Sequence, residues 1–159
     1  MLYDMRMKII FLDIDGCLST LRTQWKTFDP DCAKALKRVV DITGAKIVLS
    51  SSWRHGFLDW RTGEAIPISL KNALPVMQEL LTEIGLLDDC LIDKTPFVLS
   101  DHRGREIDLW LQKNPSVESF VILDDDDDVD PHKSRLVQTD GEKGMNEEDA
   151  DKAISLLTS

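Results

Sequence analysis

The apolar run from Ile9 to Leu12 ends in two aspartates, Asp13 and Asp15, and this run constrains the fold more than any other part of the sequence. Four consecutive apolar residues are typical of a strand that is buried on both faces, as in a parallel sheet. Gly16 follows the second aspartate and gives the backbone the freedom needed for a sharp turn. In open α/β sheets, ligands bind beyond the carboxyl ends of the strands, so we expect these carboxylates to lie at a ligand site.

An Asp-x-Asp pair in this position has two chemical uses. Its carboxylate oxygens can hold a hard cation such as Mg²⁺, and one of the two carboxylates can attack phosphorus. The alternative interpretation is a strand that ends in an acidic turn without any chemical role.

Strands and helices alternate along the rest of the chain. We predict strands at Lys8 to Asp13, Ala45 to Leu49, Cys90 to Ile92, Ser119 to Leu123 and Arg135 to Gln138, and helices at Pro30 to Thr43, Ala73 to Ile84, Arg103 to Lys113 and after Asn146. The stretch from His55 to Asn72 has no clear periodicity and is interpreted as a loop that forms a flap. This order predicts a single domain over residues 1–159, with a Rossmann-like, doubly wound and mainly parallel α/β sheet.

Three of the predicted strands end in polar side chains. Asp13 and Asp15 follow the first strand, Ser50 to Ser52 follow the second, and Asp124 to Asp128 follow the fourth. Because parallel strands have their carboxyl ends at the same edge of the sheet, we expect these three groups to meet there.

The composition limits the classes of partner. The net charge of −10, from 29 acidic and 19 basic residues, opposes tight non-specific binding to a nucleic-acid backbone. Phosphate chemistry remains compatible with it, because a bound divalent cation reverses the local field. No apolar run approaches the roughly 20 residues of a membrane span, and the first residues do not resemble a signal peptide. We therefore expect a cytoplasmic protein without a membrane partner.

The three cysteines, Cys17, Cys32 and Cys90, are widely spaced and form no Cys-x-x-Cys motif. This usage is typical of reduced thiols in a cytosolic protein. Cys17 is close to the acidic pair, but the sequence offers it no partner base, so catalysis by this thiol is not expected.

The sequence resembles the haloacid dehalogenase-superfamily phosphohydrolases, the family with an aspartate nucleophile, over about residues 8–130. The first family motif is an apolar strand followed by Asp-x-Asp-Gly-Thr/Val-Leu, and here it reads Asp-Ile-Asp-Gly-Cys-Leu from Asp13, with a departure only at Cys17. The second motif, a strand ending in Ser or Thr, is matched by Ser50 and Ser51, of which the alignment favours Ser51. The fourth motif, an apolar strand ending in an acidic pair, is matched by Asp124 and Asp125.

The third family motif is a Lys or Arg before the helix that leads to the fourth motif. Arg103, Arg105 and Lys94 all compete for this role, and Arg103 is favoured because it stands at the opening of the predicted helix. The sequence also resembles a subgroup of these domains that is associated with RNA-repair proteins. The resemblance lies in the segments Ser-Ser-Trp-Arg, Arg-Gly-Arg-Glu-Ile and Ile-Leu-Asp-Asp-Asp.

The resemblance implies a Mg²⁺-dependent phosphatase that acts on phosphomonoesters. Asp13 would attack phosphorus and form an aspartyl-phosphate, and Asp15 would protonate the leaving oxygen and then activate water. Ser51 and Arg103 would bind phosphoryl oxygens.

The resemblance also implies a set of metal ligands. Mg²⁺ would be held by Asp13, by the backbone carbonyl of Asp15 and by Asp125, with Asp124 as a further candidate. Which residue between Asp124 and Asp128 binds the metal stays open at this point.

The short interval between Asp15 and Ser51 leaves no room for a sizeable cap, so we expect a capless domain or one with a minimal cap. By analogy within the superfamily, an open site suits a large substrate such as a nucleic-acid end. It also suits a small substrate such as a nucleotide when another subunit of an oligomer encloses it.

Two other classes of function remain as alternatives. One is a non-catalytic phosphoacceptor resembling a receiver domain, which also joins acidic residues, a hydroxyl and a basic residue at one sheet edge. Its acidic pair and phosphoacceptor lie on different strands, however, and it lacks Asp-x-Asp-Gly. The other alternative is a metal-binding regulatory module that has lost catalysis.

Overall fold

A computed structural model describes residues 6–24, 28–50, 58–59, 64–65, 78–79, 81–86, 89–96 and 102–159. In chain order the elements are β1 (Met7–Leu12), α1 (Pro30–Thr43), β2 (Lys46–Leu49), β3 (Leu58–Asp59), β4 (Glu64–Ala65), β5 (Leu91–Lys94), α2 (Arg103–Lys113), β6 (Val117–Asp124), a 3₁₀ turn (Lys133–Arg135), β7 (Leu136–Gln138) and α3 (Glu147–Thr158). Residues 78–79 and 81–83 are also helical.

Five strands form one sheet in the order β5-β2-β1-β6-β7, and every neighbouring pair is parallel. The first strand is therefore central, with Leu12 opposite Leu49 of β2 on one side and opposite Leu123 of β6 on the other. This arrangement confirms the predicted Rossmann-like α/β sheet.

Side chains of the sheet alternate between two apolar layers. Ile10 and Leu12 face the layer that contains residues of α1 and α3, whereas Ile9 and Phe11 face the layer that contains residues of α2. Phe11 meets Trp110 of α2 edge to face, with ring centroids 5.4 Å apart. Because the strand is buried on both faces, its sequence is a continuous apolar run and not an alternation of apolar and polar residues.

Local signals in the sequence set the ends of the helices. Asp29 caps the N-terminus of α1 by accepting a hydrogen bond from a backbone N–H, Pro30 is the first helical residue, and Gly44 ends the helix with a φ of 69°. Asn146 and Asp149 form a reciprocal capping box at the start of α3.

The main differences from the predicted elements lie where the apolar pattern is weak. β6 begins at Val117, two residues earlier than predicted, because Val117 pairs with Met7 of β1 and the polar Glu118 lies at an irregularity in the register before Ser119 pairs with Lys8. The predicted loop from His55 to Asn72 contains the short antiparallel pair β3 and β4. Strands of two residues are too short to produce a periodic pattern. The other residues of this stretch lie outside the described part of the chain.

Between Asp15 and Ser51, the described residues form a turn, α1 and β2, as expected for a domain without a cap at this point. The interval between Ser51 and Arg103 is mostly outside the described residues, so the absence of a larger cap stays a prediction. Within the described ranges, no helix has the length and apolar composition that a membrane crossing requires.

The first turn of α2 packs directly against the segment that follows the acidic run. The backbone N–H of Gly104 donates to the carbonyl of Asp128 over 3.0 Å. A Cβ atom at Gly104 would lie 2.1 Å from the carbonyl oxygen of Asp130 and 2.4 Å from the carbonyl carbon of Val129. Only glycine permits this approach of helix and backbone.

We therefore expect Gly104→Ala to lower the free energy of unfolding by about 1–3 kcal/mol, because the backbone of α2 or of residues 129–130 must move. Urea denaturation measures this change. Gly44→Ala is the matched control, because its Cβ would meet nothing within 4 Å and only the left-handed conformation opposes it. A loss at Gly104 no greater than the loss at Gly44 would contradict this account of the packing.

Candidate active site

The strand register brings the ends of three neighbouring strands together. Asp13 directly follows β1, Ser50 directly follows β2, and Asp124 is the last residue of β6. The backbone N–H of Asp13 donates to the carbonyl of Leu123 over 3.0 Å, and that of Ser50 donates to the carbonyl of Leu12 over 2.9 Å. Because these bonds continue the ladders of the sheet, Asp13 is held between Ser50 and Asp124.

Asp13, Asp124 and Asp125 form a group of carboxylates at this edge. Each offers an oxygen that lies within 4.8 Å of the oxygens offered by the other two. Asp13 and Asp124 are buried, whereas Asp125 is half-buried. Gly16 permits this approach, because a Cβ atom on it would lie 2.6 Å from Cγ of Asp125 and its φ is 83°.

Burial and repulsion between neighbouring carboxylates disfavour the charged forms of Asp13 and Asp124. Burial raises the pKa of Asp13 well above its ordinary value, Asp124 raises it further, and Arg103 opposes both. Burial also raises the pKa of Asp124 to about 6, again against the effect of Arg103. The site therefore favours an additional positive charge.

Arg103 is the first residue of α2 and directs its guanidinium into the carboxylate group. Its Nη1 lies 3.4 Å from Oδ1 of Asp13, and its Nε lies 3.2 Å from Oδ2 of Asp124. Nη1 also donates a hydrogen bond to the backbone carbonyl of Ser50. The two other candidates for this position differ in setting, since Arg105 is exposed on α2 and Lys94 is half-buried at the end of β5.

The donor set fits a divalent cation with oxygen ligands. Within the described residues, one guanidinium contacts Asp13 and Asp124, and Asp125 adds a third carboxylate to the group, so the carboxylates outnumber the cationic group beside them. Oδ2 of Asp124 is buried and accepts no hydrogen bond, although Arg103 Nε is near it. Such an oxygen is suited to a hard cation such as Mg²⁺.

The side chain of Asp15 lies apart from the group of three carboxylates. It is half-buried, and its Oδ1 accepts a hydrogen bond from the hydroxyl of Ser19 over 2.6 Å. The resemblance implies that Asp15 binds a metal through its backbone carbonyl. This role stays a prediction. Ser19 was not identified from the sequence, because a serine six residues after Asp13 matches no motif.

The remaining acidic residues after β6 have different surroundings. Asp126 and Asp127 are exposed, as expected for a solvated loop. Asp128 is half-buried, and its backbone carbonyl accepts the hydrogen bond from Gly104 at the start of α2. The acidic run thus contributes Asp124 and Asp125 to the carboxylate group, and the next two residues point to solvent.

Cys17 does not have the surroundings of a nucleophile. Its thiol is fully buried, and its Sγ lies 3.3 Å from Oγ1 of Thr139. Burial raises the pKa of Cys17 well above the ordinary value, and Asp13 raises it further. The thiolate is therefore disfavoured, in agreement with the expectation that this residue is not catalytic.

Ser51, the predicted phosphate ligand, and most of the predicted flap lie outside the described part of the chain. The neighbouring Ser50 is fully buried, and its carbonyl is engaged by Arg103.

The loop after β7 covers the acidic residues and was not identified from the sequence. The hydroxyl of Thr139 donates to the carbonyl of Gly16 over 2.6 Å. A Cβ atom on Gly141 would lie 2.9 Å from Oδ2 of Asp125. The sequence feature that could have identified this loop is a further group of polar residues, Thr-Asp-Gly from Thr139, directly after a predicted strand.

A family model of the HAD domain in Swiss Army Knife RNA repair proteins matches residues 9–150 of the chain. The matched range runs from β1 into α3 and includes the carboxylate group and Arg103. Comparisons with curated proteins and with solved structures give no match. The match covers most of the sequence and agrees with the parallel sheet and with the acidic residues at its edge. The chain therefore belongs to the haloacid dehalogenase superfamily, in the family of HAD domains found in Swiss Army Knife RNA repair proteins.

Proposed function

We propose that this protein is a Mg²⁺-dependent phosphatase that hydrolyses phosphomonoesters through an aspartyl-phosphate. The family suggests phosphohydrolase activity. The observation that carries the proposal is the placement of Asp13 between two further carboxylates and the guanidinium of Arg103 at the end of the central strand. A carboxylate nucleophile needs this combination of acidic metal ligands and a cationic phosphate-binding group.

Asp13 is the nucleophile in this proposal. One of its carboxylate oxygens forms a bond to phosphorus while the bond between phosphorus and the leaving oxygen breaks. Burial and Asp124 disfavour the charged form of Asp13, and contact with Arg103 favours it. The backbone hydrogen bond to Leu123 holds the residue at the strand end.

Asp15 is the general acid and base. It gives a proton to the leaving oxygen in the first step and takes one from the attacking water in the second. Asp13 and Asp15 have different surroundings, because the first is buried among charges and the second is half-buried beside a neutral hydroxyl. Different surroundings allow two carboxylates of one motif to take different roles.

Asp13, Asp124 and Asp125 would hold the Mg²⁺ ion, with the backbone carbonyl of Asp15 as a further ligand. When bound, the ion neutralises negative charge on the phosphoryl oxygens. Arg103 would bind a phosphoryl oxygen beside it, and Ser51 would donate a hydrogen bond to another.

The proposed substrate is a phosphorylated nucleotide or nucleic-acid end. The description of the matching family, which names RNA repair proteins, supports this class. The net charge of −10 opposes binding along a nucleic-acid backbone, so the substrate would be held at its terminal phosphate. Turnover of a panel of phosphorylated RNA and DNA ends, nucleotides, sugar phosphates and phosphopeptides tests this choice. Steady turnover of any of them separates an enzyme from a non-catalytic phosphoacceptor.

Asp13→Asn should lower the turnover of an aryl phosphate by about a thousandfold or more, because the amide cannot act as the nucleophile. The fold should remain intact. The folded-state pKa of Asp13 is raised, so its charge destabilises the metal-free protein as the pH rises through the unfolded-state pKa, and the neutral amide removes this effect. Urea unfolding at neutral pH in EDTA should show the variant to be at least as stable as the wild type. A folded variant with wild-type turnover would refute the assignment.

Activity should require added Mg²⁺ and disappear with EDTA. Asp125→Ala should raise the Mg²⁺ concentration for half-maximal rate, because it removes one oxygen from the group of three. The matched control is Asp127→Ala, which removes an exposed carboxylate two residues away. Equal Mg²⁺ requirements of the two variants would show that the register of the metal ligands is wrong.

Arg103→Ala should lower kcat/KM by about a hundredfold, because it removes a charged group that binds the phosphoryl oxygens. Arg105→Ala serves as the control, since Arg105 lies on the same helix with an exposed side chain. Steady-state kinetics with an aryl phosphate and saturating Mg²⁺ compares the two. If Arg105→Ala produced the larger loss, Arg105 and not Arg103 would be the phosphate-binding residue.

A further inference from the structure

The chain after β1 folds back in a tight turn that brings Ser19 to Asp15. The N–H groups of Leu18 and Ser19 both donate to the carbonyl of Ile14, over 2.8 and 3.1 Å. The N–H of Gly16 donates to the carbonyl of Ser19 over 2.9 Å. These bonds fix the backbone of the turn, so the position of the Ser19 side chain is set by the backbone itself.

The hydroxyl of Ser19 has two acceptors within reach and one proton to donate. Oδ1 of Asp15 is 2.6 Å from the hydroxyl oxygen, whereas the carbonyl oxygen of Ile14 is 3.4 Å away. A short contact to a carboxylate is the stronger bond, so the proton is donated to Asp15. Ser19 is fully buried and cannot contact a substrate itself.

The residues that follow Ser19 are anchored to the start of α1. The hydroxyl of Thr20 donates to Oδ2 of Asp29 over 3.0 Å, and Nε of Arg22 donates to the same oxygen over 3.0 Å. The N–H of Asp29 donates to the carbonyl of Leu18. Since Asp29 also caps α1, the turn that carries Ser19 is tied to the helix on one side and to the strand on the other.

The other polar side chain of the turn has a different partner. The thiol of Cys17 faces Thr139, and the hydroxyl of Thr139 donates to the carbonyl of Gly16. Ser19 is thus the side chain of this turn that donates to the Asp15 carboxylate.

We infer that Ser19 is a positioning residue for the acid–base carboxylate of Asp15. This inference rests on the proposed function. Donation to Oδ1 fixes the plane of the Asp15 carboxyl group relative to the turn. As the Asp13–phosphorus bond forms and the bond to the leaving oxygen breaks, Asp15 gives its proton to the leaving oxygen. The hydroxyl of Ser19 keeps its own proton.

The test compares two substrates of the full-length protein in Mg²⁺. The leaving group of phenyl phosphate needs protonation, whereas that of p-nitrophenyl phosphate departs readily as an anion. We expect Ser19→Ala to lower kcat/KM for phenyl phosphate by about tenfold, because a mispositioned acid loses part of the usual contribution of acid catalysis. The loss for p-nitrophenyl phosphate should be much smaller. The ratio kcat/KM is chosen because it reports only the steps up to the release of the leaving group.

Two further variants separate positioning from packing. Ser19→Cys nearly keeps the volume but donates only weakly, so it should show the same dependence on the leaving group even if Ser19→Ala does not fold. Ser119→Ala removes a half-buried hydroxyl that donates to the carbonyl of Leu156, far from the site, and should affect neither substrate.

The outcomes distinguish this inference from the proposed function. A larger loss for phenyl phosphate than for p-nitrophenyl phosphate supports the role of Ser19. Equal losses for the two substrates, or no loss for either, would overturn it while leaving the phosphatase assignment in place. A wild-type protein that turns over neither of these substrates, and none of the phosphorylated nucleic-acid ends, nucleotides, sugar phosphates and phosphopeptides, would overturn both.

Discussion

The repulsion among Asp13, Asp124 and Asp125 at the ends of two adjacent strands is the constraint on which the rest of the site depends. Two unit charges about 5 Å apart repel by about 3 kcal/mol at an effective dielectric constant of 20. Burial adds a desolvation cost, and together they raise the pKa values of Asp13 and Asp124. Arg103 offsets part of this cost. A divalent cation would offset the remainder, so its binding and the stability of the fold should be linked.

The sheet keeps these charges together because the backbone, and not the side chains, determines their positions. The ladder bonds continue one residue past β1, which holds Asp13 beside Asp124. Gly16 and Gly141 leave space around Asp125 that a Cβ atom would fill, and Gly104 lets the first turn of α2 approach the same edge. Arg103 precedes Gly104 directly, so this close packing also places the guanidinium. The apolar layers on both faces of the sheet supply the energy that holds this unfavourable charge arrangement.

The sequence was sufficient for the features that depend on local patterns. The apolar runs predicted the parallel strands, and Asp29, Gly44 and Asn146 mark both ends of α1 and the start of α3, because caps act within a few residues. The meeting of Asp13 with Asp124 and Asp125 followed from the parallel order alone. Contacts between distant segments could not be predicted in this way. The approach of Gly141 to Asp125 depends on how the loop after β7 packs, and the short strands β3 and β4 have no period to detect.

The packing around the carboxyl end of β1 also affects the chemistry proposed for the site, because it gives the two aspartates of the first motif different surroundings. Asp13 is surrounded by charges, so in the proposed mechanism its reactivity would depend on Arg103 and on a bound cation. Asp15 is held by a neutral hydroxyl in a turn that Asp29 ties to α1. The two aspartates of the motif, one residue apart, thus have different surroundings. In the proposed mechanism this difference allows identical side chains to serve as nucleophile and as acid–base group, because surroundings determine the proton affinity of a carboxylate.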